Sequence, residues 1–465
     1  MMRIIAVTGQ AGTGKTTWLM EKANELTPAL LSAGHHSMLA ITRMHGSRRR
    51  LQEKLRESCP SIRCAVSTID GFALSILNRW RTTLGYSQPI YAVSGDADFS
   101  DGILGIDADF ARILATSIGL LESATVRRVV GATYPLILID EFQDCHGGLL
   151  EFVKALSKCA SLLLAADDFQ CLDTAVMGCP GIQWVESAKE DGDAELTELA
   201  TCHRTSVADI LDASRCLREN VKSDKVTIPV MCCPQAGAVA WKIIEAIVLH
   251  HADWQGSTAL ICPSHDPFLE KVLTSCEQQL CKRKWKPVKW FRECAAREEY
   301  ERIRSCLGLP GGDVCPTDEW TAPVDIADPA AARTVVRTCR YARLRGLHRI
   351  PRELVARHVE MTVHEQRAYC AYTPRRLVTT VHGAKNREFD NVIILWTYKL
   401  PPDQGQQRRL LYNAVTRAKS KCILLVLGDV GRAQGDPVLG LLGPAQPAFP
   451  SKGGKKQASM RKAKK

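Results

Sequence analysis

The 465-residue chain has no continuous apolar run of the length a membrane-spanning helix needs, about 18 residues or more. No membrane contact is therefore expected. Its 19 cysteines form no paired Cys-x-x-Cys knuckles, so a zinc ribbon is not indicated. Cys232 and Cys233 are adjacent, and Cys276, Cys281 and Cys294 are loosely grouped, which reads as reduced thiols of an intracellular protein. The first residues, Met1 to Thr8, are too short in their apolar part for a secretory signal. They run directly into a glycine loop and are read as a core strand of a cytoplasmic protein. No internal repeat is visible. Acidic residues are missing from the last fifteen positions, Ser451–Lys465, which hold seven basic ones. That stretch supplies seven of the eleven net positive charges, so the body is only mildly basic. Residues 433–465 are expected to form a basic, disordered tail, either simply solvated or adding sequence-independent affinity for phosphate backbones.

What is present is a strand–helix alternation. Apolar segments near Arg3–Thr8, Ser37–Thr42, Cys64–Thr68, Leu136–Asp140 and Ser161–Ala166 alternate with helical stretches. A second block runs from the helix Val207–Leu217 through Thr258–Cys262, Leu377–Val381 and Asn391–Trp396 to Cys422–Gly428. This pattern predicts α/β architecture with two parallel sheets covered by helices. The expected units are 1–77 with 134–195 and 196–292 with 374–432. Small, mainly helical insertions are expected at 78–133 and 293–373.

Two motifs carry chemistry. Gly9-Gln10-Ala11-Gly12-Thr13-Gly14-Lys15-Thr16 fits the phosphate-binding loop G-x-x-x-x-G-K-[ST] between a strand and a helix. Backbone N–H groups there, with the helix start and Thr17, would cradle phosphate oxygens. Lys15 would reach the β- and γ-phosphates of ATP, and Thr16 would ligate Mg²⁺. The second motif is Leu136-Ile137-Leu138-Ile139-Asp140-Glu141-Phe142-Gln143-Asp144. Its carboxylates follow a buried strand at the sheet's C-terminal edge, where such folds bind ligands. Asp140 would hold the metal through water and Glu141 would activate the attacking water. A hydrolytic carboxylate favours an ATPase over a small-molecule kinase.

Asp-Glu-Phe-Gln-Asp resembles the second motif of UvrD/Rep-like superfamily 1 helicases, and further matches follow in that family's order. Leu39 to Thr42 with Ser47-Arg48-Arg49, and Thr68-Ile69-Asp70-Gly71-Phe72-Ala73, are similar to its elements that touch single-stranded DNA. Ala166-Asp167-Asp168-Phe169-Gln170 resembles the third motif, with Gln170 sensing the γ-phosphate. Leu199 to Ser206 resembles the fourth, Val381 to Phe389 the fifth and Leu411 to Lys419 the sixth. The resemblance spans Gly9 to Lys419 and implies tandem RecA-like domains clasping ATP and Mg²⁺. It assigns Arg204 and Arg417 as arginine fingers and Glu388 to the ribose. It assigns Thr42, Arg43, Arg48, Thr68, Phe72, His382 and Lys385 to nucleic acid.

The chain also departs from the family. There is no room upstream for the adenine-reading glutamine element, and Gln10 is not its equivalent. The loop itself looks like that of the related superfamily 1B. Cys171-Leu172 stands where an aromatic–arginine pair is usual, with Trp184 a little downstream either as a substitute or as a core or interface tryptophan. Arg43 replaces a phenylalanine, and Asn386 replaces a glycine in the fifth motif; asparagine tolerates positive φ. The resemblance implies a 3′→5′ DNA translocase and helicase acting on single strands and their junctions with duplex, in repair, recombination or defence. The alternative is a nucleic-acid-stimulated ATPase subunit that does not unwind alone. RNA as substrate, and a protein partner that completes the machine, both remain open.

Overall fold

A computed structural model describes residues 3–292 except 44, 94–97, 102–104, 174–177 and 265, pieces of 293–373, and 374–449 except 398–399. Strands β1 (Ile4–Gly9), β2 (Met38–Thr42), β3 (Cys64–Thr68), β7 (Leu136–Ile139), β8 (Ser161–Ala166) and β9 (Ala194–Leu199) form one sheet in the order β3-β2-β7-β8-β1-β9. Every pairing in it is parallel. β7 and β8 are buried at every position. Their unbroken apolar runs are what a parallel sheet covered on both faces demands. Helix α1 (Lys15–Leu30) starts directly after the phosphate loop, α2 (His45–Ser58) follows β2, and α3 (Ile69–Trp80) follows β3. The start of α3 is capped by Thr68, whose hydroxyl accepts from Gly71 N–H at 3.1 Å.

β9 was not expected from the sequence. It is the sheet's edge and alternates half-buried and exposed residues, among them Glu195 and Glu198, so no apolar run announces it. Residues 78–133 hold helices α4 (Phe110–Leu121) and α5 (Ala124–Thr133). They also hold a small sheet of β4 (Ile90–Val93), β5 (Ser100–Asp101) and β6 (Ile106–Asp109). Ile90, Ala108 and Ile113 join the same core as Ile137 and Phe152, so this insertion rests on the first sheet rather than on a core of its own.

The second sheet has the order β12-β15-β11-β16-β17-β10-β18, again with parallel neighbours throughout. Its strands are β10 (Val230–Cys233), β11 (Thr258–Cys262), β12 (Phe291–Arg292), β15 (Arg376–Thr380), β16 (Phe389–Trp396), β17 (Ala418–Leu427) and β18 (Gln446–Pro447). The expected insertion at 293–373 falls largely outside the described residues. Within it lie a two-stranded pairing of β13 (Asp313–Val314) with β14 (Ile350–Pro351) and the helix α11 (Pro329–Leu344).

Two layers cover the second sheet. One packs α8 (Ala208–Glu219) and α12 (Gln404–Val415) and shares its core with Ala11 and Phe169 of the first unit. The other packs α9 (Ala236–Ile244) and α10 (Pro267–Lys282). The expected tail begins too early: residues 433–449 are folded, with Leu439, Leu441 and Leu442 in the core and β18 paired to β10. Their apolar residues are interleaved with Gly and Pro, which hid them from a periodicity reading.

Candidate nucleotide site at the seam between the two sheets

The phosphate loop turns through Gly12 and Gly14, both in the left-handed region at φ 84° and 85°. Lys15 Nζ donates to the carbonyls of Gly9 and Gln10, each at 2.8 Å. Thr13 Oγ1 donates to Gln10 O at 2.9 Å, which tightens the turn. At the carboxyl edge of β7, Asp140 Oδ2 accepts from Thr16 Oγ1 at 3.2 Å. These two oxygens, from the first turn of α1 and the end of β7, form a hard-oxygen pair suited to Mg²⁺. Burial raises the Asp140 carboxyl above the ordinary range. Burial, then the charge of Asp140, does the same to Glu141. An incoming divalent cation would relieve both, so the residues fit the ion. Burial also lowers the Lys15 pKa, although Asp167, Glu141 and Asp140 pull it upward.

Glu141 sits at φ 59°, a backbone conformation that L side chains rarely adopt. Gln143 holds it there: its Nε2 donates to Glu141 Oε2, and its Oε1 accepts from Asp167 N–H at 3.0 Å. The loops after β7 and β8 are thereby joined through one side chain.

The second sheet closes the site. Arg417, 2% exposed, donates from Nη2 to Gln170 Oε1 at 3.0 Å and from Nε to Asn413 O at 3.0 Å. Burial, then Arg204, lowers its pKa to about 10. Arg204 is held by Glu388 at 2.9 Å and by Thr416 O at 2.7 Å. Although burial opposes it, Arg204 and Lys419 pull the Glu388 carboxyl down to about 2. Together these groups line a cleft of about 540 Å³ that contains Gly12, Gly14, Lys15, Thr16, Thr17, Asp140, Glu141, Gln170, Arg204, Glu388 and Arg417. The loop, the metal-type carboxylate, the base candidate and both arginines therefore face one cavity.

Residues 1–175 match a family model described as an AAA domain, and residues 377–425 match one described as the UvrD-like helicase C-terminal domain. Together the two matches support a UvrD/Rep-like helicase. No curated protein matches the chain. The two matched segments carry the opposite walls of the cleft, so the matched signatures stand on both sides of the seam.

Several contacts across the seam were not singled out from the sequence. Tyr412 accepts from Ala11 N–H at 3.0 Å and donates to Asp167 Oδ2 at 3.2 Å, so one hydroxyl from the second unit binds both loops of the first. Arg218 of α8 donates to Asp167 Oδ1 at 2.7 Å and to Asp168. Lys15 and Arg218 hold Asp167 ionised against its burial. Lys385 donates to both carboxylate oxygens of Asp144 at 2.6 Å, with both side chains buried. His203 N–H donates to Gly12 O at 2.7 Å. Nothing in the local sequence marks Arg218; it is a helical arginine like any other until the seam closes. Arg50 and Lys54 of α2 also line the cleft.

The positions expected to touch nucleic acid are scattered. Thr42 is buried and lines the nucleotide cleft. Arg43 is engaged by Asp144 O at 3.1 Å and lies 4.0 Å from Asp173. Thr68 is the buried helix cap, and Phe72 is buried edge-on to Tyr134 and Phe152. Trp184 meets Phe142 edge-on and packs on the first core rather than standing free. Arg48 is half-buried, Lys385 is buried and His382 is exposed. Although His382 is exposed overall, partial desolvation of its ring, then Lys385, lowers its pKa. Asn386 adopts φ 64°, so the left-handed turn where the family uses glycine is kept. Among the described residues no helix is long and apolar enough to cross a membrane, and no cluster of metal-type ligands occurs.

Proposed function

We propose that the protein is an ATP-hydrolysing motor that moves 3′→5′ along single-stranded DNA and unwinds duplex, acting at junctions in repair, recombination or defence. The observation that carries this reading is the meeting of Arg204 and Arg417 with Lys15 and Glu141 in one cleft. In that arrangement Lys15 and the loop amides bind the phosphates, and Thr16 with Asp140 would hold Mg²⁺, which offsets phosphate charge. Glu141 takes the proton of the attacking water, and the two guanidinium groups stabilise charge as it develops. Because Lys15 and Glu141 follow strands of the first sheet while Arg417 comes from the second, nucleotide state and closure of the seam are coupled, and repeated opening and closing can step a bound strand.

A second reading is favoured by particular residues. Phe72 is core, Arg43 is engaged, and Cys171 is buried where the family places a base-stacking aromatic. Lost base stacking would weaken the grip that converts stepping into strand separation. On this reading the protein is a nucleic-acid-stimulated ATPase that needs a partner to unwind. ATP turnover with and without single-stranded DNA or RNA, followed by displacement on duplexes tailed at either end, separates the two. Stimulated turnover with displacement from a 3′ tail supports the motor, and stimulated turnover without displacement supports the subunit. Turnover indifferent to added strands would sink both.

A further inference from the structure

The α9/α10 layer of the second sheet faces away from the nucleotide seam and carries a surface that the family motifs do not account for. Residues 282–292 hold six basic residues, three aromatics and no acid. Arg283 lies 4.4 Å from the ring centre of Trp241 and 5.7 Å from that of Trp285, and the two indoles stack on each other at 6.3 Å. This ladder fixes a cation between two rings. Phe291, on the sheet's edge strand, is 55% exposed, and Lys284, Lys286 and Lys289, which precede it in the chain, are exposed. The Trp290 indole nitrogen is buried and has no partner among the described residues.

A run of charge alone is normally a solvated face. Here the aromatic residues are interleaved with the lysines, and one large ring stands in water where burial would be favourable. The end of the described chain arrives on the same layer. Ala448 joins its core, and Phe449 lies 5.4 Å from the Lys242 ammonium of α9. From Phe449 the sequence passes into the stretch with seven basic residues and no acidic one. The end of the described chain and the basic segment 282–292 therefore lie on one layer, opposite the one that closes on ATP.

We infer that this face is a second nucleic-acid site, one that takes a single strand away from the positions that the family resemblance assigns to nucleic acid. Phosphates would lie along Lys284, Lys286 and Lys289, with bases stacked on Phe291 and Trp285. Rings supply a sequence-tolerant platform for bases, and lysines supply the salt-dependent grip on the backbone. A duplex hides its base faces and would use the lysines alone. The site stands on observations independent of the proposed motor activity.

The test uses the full chain and fluorescent oligo(dT) of about 8 and about 30 nucleotides, set against the span of such sites, with oligo(rU) and a duplex as further probes. In the K284E/K286E/K289E variant, binding of the long oligo(dT) should weaken about tenfold, and the slope of log K against log salt should fall by about 2. Binding of the short oligomer, and the ATP turnover it stimulates at saturation, should stay unchanged. F291A should weaken the long oligomer severalfold with little change in slope. Equal losses with oligo(rU) would extend the site to RNA, and loss confined to oligo(dT) would assign it to DNA. Unchanged affinity and slope for both long single strands would overturn the site. A larger loss for duplex than for single strand would overturn the single-strand assignment. If turnover fails to respond to any strand, the motor reading falls while these binding differences remain readable.

Discussion

Glu141 combines three pressures: it is buried, it adjoins Asp140, and its backbone is left-handed. A carboxyl whose pKa rises on folding is best accommodated when protonated. Its charge opposes folding at neutral pH, and that penalty disappears as pH falls below the ordinary carboxylate range. Glu141→Gln should therefore raise the melting temperature of the nucleotide-free protein by about 2 °C or more at pH 7.5. The gain should shrink to nothing near pH 4. A gain independent of pH would mean that the charge is not what strains the site. The same substitution should abolish turnover while ATP still binds. Arg417 is held by Gln170 and Asn413, so its guanidinium is placed by the protein's own groups. Arg417→Ala should cut turnover by about 10³-fold with modest change in ATP affinity. Turnover within twofold of the parent would remove it from the catalytic set.

At the scale of elements, the phosphate loop does two jobs. Its signature glycines serve the phosphates, whereas Gly12 is a variable position of the pattern. A Cβ built on Gly12 would lie 2.6 Å from the Cβ of Arg204 and 2.9 Å from Cys202 Sγ, at a φ that already disfavours a side chain. Gly12 thus lets the segment after β9 lie against the loop and brings Arg204 to the cleft. Gly12→Ala should reduce turnover tenfold or more by holding that segment away. The melting temperature should move only a few degrees, since the apolar layers of neither sheet are touched. Parallel measurement of turnover and thermal unfolding checks this. Collapse of the whole fold would place the role in stability rather than closure.

For the whole molecule, the seam is held by buried charge as well as by apolar contact. Lys385 and Asp144 are both nearly excluded from water and belong to different sheets. Removing one partner leaves an uncompensated buried charge, so Lys385→Met should cost about 3–5 kcal/mol. Replacing both, as Lys385→Met with Asp144→Leu, should recover most of that loss. Denaturant midpoints for the two singles and the double form the cycle. Strictly additive losses would show that the pair does not act as a unit. Asp167, reached by Lys15, Arg218 and Tyr412, is the other charged centre of the seam, and it ties the loop that binds nucleotide to two helices of the second unit.

The ordered motifs were legible in the sequence because each is local. A phosphate loop needs its glycines and lysine within eight residues, a central parallel strand is a continuous apolar run, and Asp140–Glu141 follow such a run directly. The interior strands β8 and β11 were thus located residue for residue, as was the edge strand β3, and the two-sheet plan followed from the alternation. Edge strand β9 and the folded stretch 433–449 were missed, since neither shows the clean periodicity of a buried element. Tertiary structure alone decided which polar residues meet across the seam. Sequence order places Lys385 far from Asp144 and leaves Arg218 unmarked. It also suggested Phe72 and Arg43 for base contacts, where packing has buried one and engaged the other. Local chemistry is written in neighbouring residues, but partners hundreds of positions apart are chosen only when two cores close on each other and every charge left inside must find its match.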